Sequence, residues 1–395
     1  MREMKDSGVE WLGEVPAGWG FDRFGAFFAL RNERVSDEEY APLSVTMGGV
    51  VPQLSHVAKS DDHANRKLVC KGDFAINSRS DRRNSCGFAS QDGSVSLINT
   101  ICVPRGEIES RYFGYLFDSS QWSDEFYSWG HGIVADLWTT GWNDMKKILL
   151  PVPPIDEQRR IADYLDEKCA EIDRAVSAAE RSIEELNLYR SARLEEVITR
   201  VSHEAPREKL KYVLKESKDK SPDGIGEPLS ITIARGVLRS AELSIPNPTS
   251  SLVGAKIVHA GDLVFNKLKA YYGVMYVSPY NGLISPEYAV YRAIDMGRTS
   301  LKYLEYVFHT AAMIDEFIIR ISGVADGFRR LYTSDLFDIA VPVPSIEVQQ
   351  GIVAELDDLY ASIFESTEAK QAIIADLKAY KQSLIYEVVT GKREV

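Results

Sequence analysis

The sequence predicts an α+β protein in which two globular modules are separated by two long antiparallel coiled-coil helices, with a pseudo-twofold relation from internal duplication. Three observations predict it. The run Pro151-Val152-Pro153-Pro154-Ile155-Asp156-Glu157-Gln158 returns 191 residues later as Pro342-Val343-Pro344-Ser345-Ile346-Glu347-Val348-Gln349, and the register then holds to residue 391 with about a third of the positions identical. Each copy opens a stretch of about 45 residues without proline whose apolar positions step by three and four. The stretches before the copies share landmarks and diverge between them: Pro42-Leu43-Ser44-Val45-Thr46 echoes Pro228-Leu229-Ser230-Ile231-Thr232, and Gly72 to Asn77 echoes Gly261 to Asn266. A frame repeated with different residues inside it suits two modules of one fold aimed at different ligands.

The first module is assigned to residues 1–150. Val95 to Ile98 reads as a strand piece, Tyr112 to Phe117 as a helix with an aromatic face, and Gly48-Gly49, Gly72-Asp73 and Asp92-Gly93 as turns. Its basic residues fall in two places, Arg66-Lys67 and the stretch after the Gly-Asp strand: Asn77, Arg79, Arg82, Arg83 and Asn84. A first spacer helix occupies 151–202. Its prolines close the preceding domain and favour an extended approach, and Ile172, Val176, Ile183, Leu186 and Leu194 form its apolar seam. The second module, 203–341, repeats the plan, with strand pieces at Ile257 to His259 and Leu263 to Phe265 and a helix at Leu301 to His309. Asn266, Lys267, Lys269, Tyr271 and Tyr272 follow its Gly-Asp strand, and Arg329 and Arg330 lie further on. The second spacer helix, 342–395, carries its seam at Ile363, Ile374, Leu377 and Val388. At about 1.5 Å per residue each helix reaches on the order of 65 Å. A single exposed apolar seam does not sustain a lone helix, so the simplest partner of each is the other.

Arg and Lys suit guanine edges and phosphates, and Asn suits adenine. A basic loop that leaves the same strand end twice, with different residues each time, is what two readers of different DNA sequences need. The net charge of −12 argues against tight DNA binding unaided and leaves binding within a complex open, since global charge does not describe a local patch. The four cysteines, Cys70, Cys86, Cys102 and Cys169, form no C-x-x-C pair, which argues against a disulfide framework or a zinc ribbon. No metal site is expected. No stretch has the roughly 18 apolar residues of a membrane helix, so the expected location is the cytoplasm. There is no phosphate-binding loop and no Asn-Pro-Pro-aromatic motif. Asp223-Gly224-Ile225-Gly226 is too short for a dinucleotide fingerprint, and the spacing of His56, His63 and Cys70 fits no common zinc pattern. The expectation is a non-catalytic chain, either a DNA reader or a protein-binding scaffold that carries two α+β modules on a coiled coil.

The opening Met4-Lys5-Asp6-Ser7-Gly8-Val9-Glu10-Trp11-Leu12-Gly13-Glu14-Val15-Pro16 with Trp19, the twice-used Pro-x-Pro-x-Ile-x-x-Gln entry into a long helix, and Gly282-Leu283-Ile284-Ser285-Pro286-Glu287-Tyr288 resemble the specificity subunits of type I restriction–modification systems. The resemblance spans essentially the whole chain. It implies two target-recognition domains, each reading one half of a split, asymmetric site on double-stranded DNA, and helices that set the spacing and dock two methyltransferase subunits. It implies that S-adenosylmethionine, ATP and Mg are held by partner subunits, two motor-nuclease subunits among them, and that this chain carries no cofactor. Half-sites read from one DNA face fall about 10 base pairs apart. One departure stands out: the first module has Ser96-Leu97-Ile98-Asn99-Thr100 where the second has the Ser-Pro-Glu-Tyr run.

Overall fold

The structure is a computed structural model and describes residues 2–53, 65–132, 138–233, 235–243, 252–321 and 330–395. The chain forms two compact units, Met1–Glu180 with Gln371–Val395 and Arg181–Lys370. The two long helices run Ile155–Ser202 and Ile346–Val389, and each contributes one segment to each unit. Both carry acidic residues in their first turn, Asp156 and Glu157 in one and Glu347 in the other, where the partial positive charge of the helix N-terminus favours them.

In the first unit an antiparallel sheet has the order Cys86–Phe88, Phe74–Asn77, Asn99–Pro104, Phe28–Arg31. Every residue of Phe74–Asn77 is buried, as an inner strand covered on both faces must be. One face meets the helices Ser110–Asp118 and Ser120–Ser128 through packed aromatic rings, with Phe74 and Phe117 centroids 4.6 Å apart and Phe117 and Trp122 4.7 Å apart. The other face supports a small cluster of Leu43, Val69, Ala75, Val95 and Ile101. Ile172 and Val176 of the first long helix enter the main core together with Leu384, Ile385, Val388 and Val389 of the second. Those helix segments run antiparallel: Lys381 pairs with Asp173 at 2.8 Å and Lys378 with Glu180 at 3.4 Å, so numbering rises along one as it falls along the other.

The second unit repeats the plan. Its sheet has the order Leu214–Glu216, Ala289–Ala293, Leu263–Phe265, Met275–Val277, and Leu263–Phe265 is again wholly buried. Helices Leu301–Phe308 and Ala311–Arg320 cover it. Leu194, Val197 and Ile198 join this core with Ile352 and Leu356, and Arg193 reaches Glu355 at 2.8 Å while Arg190 lies over the Tyr360 ring.

The α+β class and the long helices are as the sequence predicts. Of the seam positions, Ile172, Val176, Leu194, Ile363 and Val388 are buried, whereas Ile183, Leu186, Ile374 and Leu377 are half-buried. One strand reading is corrected: the strand stops at Val95 and Ser96 to Ile98 form a turn into Asn99–Pro104. That turn occupies the place of Ser285 to Tyr288, which joins Gly282–Ile284 to Ala289–Ala293 in the second unit. The different residues therefore sit in one equivalent connection.

Candidate nucleic-acid interface

In each unit a buried Asp starts the central strand and a buried Asn ends it. Asp73 accepts from Arg31 Nε at 2.6 Å and from the Cys70 amide at 2.8 Å. Asp262 accepts from Arg292 Nε and from the His259 amide, both at 2.9 Å. At the far end Asn77 Oδ1 accepts from the Arg79 amide at 3.1 Å, and Asn266 Oδ1 accepts from the amides of Leu268 and Lys269 at 3.1 and 3.2 Å. A short side chain that caps its own backbone in this way turns the chain out of the sheet. The chain then passes through a 3-10 turn, Ser80–Arg82 or Lys267–Tyr272. It returns through a left-handed residue, Asn84 at φ 59° or Gly273 at φ 65°, into the edge strand.

In the first unit this turn is one wall of a cavity of about 870 Å³. Arg79, Arg82 and Arg83 line it, with Arg66 and Asn77 deeper in. The hairpin Leu43–Thr46/Gly49–Pro52 forms a second wall and the turn at Ser96, Ile98 and Asn99 a third. The Tyr127 hydroxyl lies 3.1 Å from the Asn77 carbonyl and 3.2 Å from that of Arg82, which braces the basic turn from beneath.

The predicted residues divide into two kinds. Arg79, Arg82 and Arg83 are exposed. Arg82 has Asp81 at 3.7 Å, and Arg83 pairs with Asp124 at 2.7 Å while lying over the Tyr127 ring. Such exposed pairs are worth at most about 1 kcal/mol and exchange readily for a phosphate. Arg66 is placed differently: it is 4% exposed, and its Nε and Nη2 donate to the Ser94 hydroxyl at 2.8 Å and the Ser94 carbonyl at 3.1 Å. Burial pushes its pKa down. Lys67 is half-buried with its Nζ on the Asn99 carbonyl, and burial lowers its pKa as well. Both stitch strands together. Asn77 and Asn266, 5% and 8% exposed, have their side-chain oxygens committed to capping. Asn84 is half-buried and is placed by its backbone, because Asn tolerates the left-handed region better than other side chains.

In the second unit Lys269 and Tyr272 are exposed, with Lys269 Nζ 5.4 Å from the Tyr272 ring centroid and the Tyr271 and Tyr272 rings 4.3 Å apart. Lys267 is half-buried, and its pKa is lowered first by burial and then by the charge of Lys256. Arg330 pairs with Glu287 at 2.8 Å, whereas the first unit has Ile98 in the corresponding place. Arg329, His56 and His63 lie outside the described residues. Sequence reasoning missed the hairpin wall, which carries no charge. The Pro-Leu-Ser-x-Thr echo was the available signal, since it supplies the first hairpin strand in each unit, Leu43–Thr46 and Leu229–Thr232. Among the described residues no three His, Cys, Asp or Glu side chains are grouped to hold a metal ion, and no described helix is long and apolar enough to cross a membrane.

No protein-family model and no curated protein matches the sequence. Among solved structures the chain is similar to one reported in a study of complex assembly and conformational transition in a type I restriction–modification system. The TM-score is 0.72 and the identity 18%, over 96% of this chain and 99% of that one. It is also similar to the HsdS subunit from Thermoanaerobacter tengcongensis, with a TM-score of 0.54 and 19% identity over 96% of this chain and 98% of that one. At these identities the likeness is one of fold.

Proposed function

We propose that this chain, whose fold is that of the specificity subunits of type I restriction–modification systems, selects the DNA target for such a complex and performs no chemistry itself. The observation that carries the reading is the frame built twice: Asp, buried strand, capping Asn, basic turn, left-handed residue, edge strand. Its backbone is shared, and the residues offered to a ligand differ, Arg79, Arg82 and Arg83 in one unit against Lys267, Lys269, Tyr271 and Tyr272 in the other. Two rigid scaffolds with unlike basic turns suit two half-sites of unlike sequence, because phosphate contacts fix the register and base contacts specify. The long helices set the spacing between half-sites and dock two methyltransferase subunits, which bring the S-adenosylmethionine. Two motor-nuclease subunits bring ATP and Mg for cleavage.

The test is to co-express the chain with its methyltransferase and map N6-methyladenine across the host genome. One motif of two short blocks around a fixed gap is the expected result. A soluble complex that is competent for S-adenosylmethionine yet leaves no such motif overturns the reading in favour of a protein scaffold. Four residues inserted near position 180, with the matching insertion in the second helix, are expected to change the gap and leave the blocks alone.

A further inference from the structure

We propose that Met47 reads a base in the first unit, and that its ligand is the 5-methyl group of a thymine. The inference rests on the DNA-reading assignment above and adds a residue that charge patterning does not reveal.

Met47 sits at the tip of the hairpin Leu43–Thr46/Gly49–Pro52, whose register runs from Leu43↔Pro52 to Thr46↔Gly49. The Thr46 hydroxyl accepts from the Gly48 amide at 3.1 Å and donates to the Gly49 carbonyl at 3.0 Å, and Gly49 takes φ 94°. The tip is also docked. A Cβ on Gly87, in the edge strand Cys86–Phe88, would lie 2.8 Å from the Gly49 Cα. Only backbone-to-backbone contact fits there, and the hairpin is held against the sheet. Held in this way, Met47 is 73% exposed and lines the cavity together with Ile98, Arg79 and Arg82.

A large apolar side chain on a docked hairpin, lining the same cavity as three exposed arginines, keeps most of its surface uncovered by the described residues. The major-groove edge of DNA offers one apolar group among its donors and acceptors, the thymine methyl. Guanidinium donors read guanine or phosphate, and a thioether side chain reads that methyl. A wedge between base steps, the other use of apolar residues on DNA, calls for a projecting point, whereas Met47 borders a concavity with charged groups beside it.

In the second unit the hairpin Leu229–Thr232/Gly236–Arg239, whose connection is one residue longer, carries a different apolar residue straight after its first strand. Ile233 follows Thr232 and is 54% exposed. Gly236, at φ 68°, abuts the Tyr276 ring, with the nearest ring carbon 3.2 Å from its would-be Cβ, and the Tyr276 hydroxyl donates to the Ile233 carbonyl at 2.5 Å. Gly87 and Tyr276 are the middle residues of equivalent edge strands.

The experiment uses the chain in complex with its methyltransferase subunits, on the motif that methylation mapping returns. Each thymine of the first unit's half-site is replaced in turn by deoxyuridine, which removes the methyl and nothing else. At one position the loss is expected to weaken binding roughly fourfold, the weight of about one buried methyl group. Met47→Ala is expected to weaken binding to the thymine duplex by a similar factor and to erase the thymine–uracil difference at that position, with the motif kept. Met47→Ala binding that retains the full difference at every position overturns the proposal, and so does a half-site without an A·T pair. Fluorescence of 2-aminopurine that reports a base step unstacked by the wild type and restacked with Met47→Ala would assign Met47 to a wedge and overturn the thymine reading. The absence of any split motif overturns the DNA-reading assignment itself, a separate failure.

Discussion

At the scale of the residue, type was legible and environment was not. Arg66 and Arg79 are the same residue in the same basic module and line the same cavity, yet one is buried on Ser94 and the other is exposed. The difference comes from the pairing of Arg66–Val69 with Gly93–Val95, a long-range register that no local pattern announces. Asn84 was legible as a member of the basic stretch after the Gly-Asp strand and illegible as the counterpart of Gly273, since the equivalence depends on both being left-handed. Asp118 was not singled out by the sequence at all. Burial raises its pKa to about 6, opposed by the charge of Lys381. A carboxyl whose pKa is higher folded than unfolded binds more protons in the folded state, so its contribution to stability falls as pH climbs from about 4 to about 6, and the penalty is complete at neutral pH. Asp118→Asn is therefore expected to stabilise the protein by about 1–3 kcal/mol at pH 7.5 and by nothing at pH 4. Thermal melts across that range check it. A gain independent of pH would assign the effect to packing.

At the scale of the element, the entries to the long helices were the clearest signal in the sequence, and the structure gives the reason for the repeated Gln. Gln158 donates to the Pro153 carbonyl at 2.9 Å and accepts from the Glu109 amide at 3.1 Å, and Glu109 is the N-cap of Ser110–Asp118. Gln349 donates to the Pro344 and Arg298 carbonyls and accepts from the amide of Ser300, the N-cap of Leu301–Phe308, each at 2.9 Å. Nearby, Tyr112 and Tyr303 donate to the Pro151 and Pro342 carbonyls at 3.2 and 3.1 Å, and Tyr115 and Tyr306 donate to Asp166 and Asp357. Apart from the additional Gln349 bond to the Arg298 carbonyl, every one of these bonds recurs at the 191-residue offset, so each globular module meets its long helix through a shared set of bonds. The tyrosines could not be assigned that role from sequence, because aromatic residues at helical spacing read equally well as core. Gln349→Ala leaves buried backbone groups without partners, at a cost of about 2–3 kcal/mol. Hydrogen exchange is expected to rise in Leu301–Phe308 and stay unchanged in Ser110–Asp118. Equal protection in the variant and wild type would show the Gln349 bonds to be dispensable.

At the scale of the whole molecule, the duplication predicted two similar units, and two are present. The sequence treated each long helix as one segment, whereas compactness divides each between the units near residues 180 and 370, a division set by packing and unmarked by composition. A chain of net charge −12 repels DNA overall, so the salt dependence of binding must come from local clusters. Each phosphate contact contributes about 0.9 to the slope of log K against log salt. Replacing Arg79, Arg82 and Arg83 by alanine is expected to lower that slope by about two to three and to relax the sequence preference of one block only. A titration in which both blocks relax together contradicts independent readers.

The first unit closes its core with Leu384, Ile385, Val388 and Val389, and the Tyr112 hydroxyl is 3.0 Å from the Val389 carbonyl. The second unit is a single unbroken stretch, Arg181–Lys370. On the ribosome the usual order, N-terminal part first, is therefore inverted. The middle of the chain can mature as soon as it emerges. The stretch up to residue 180, made before that middle, keeps an aromatic-rich surface waiting, open to chaperones or to misassociation, until the residues around 389 arrive to cover it.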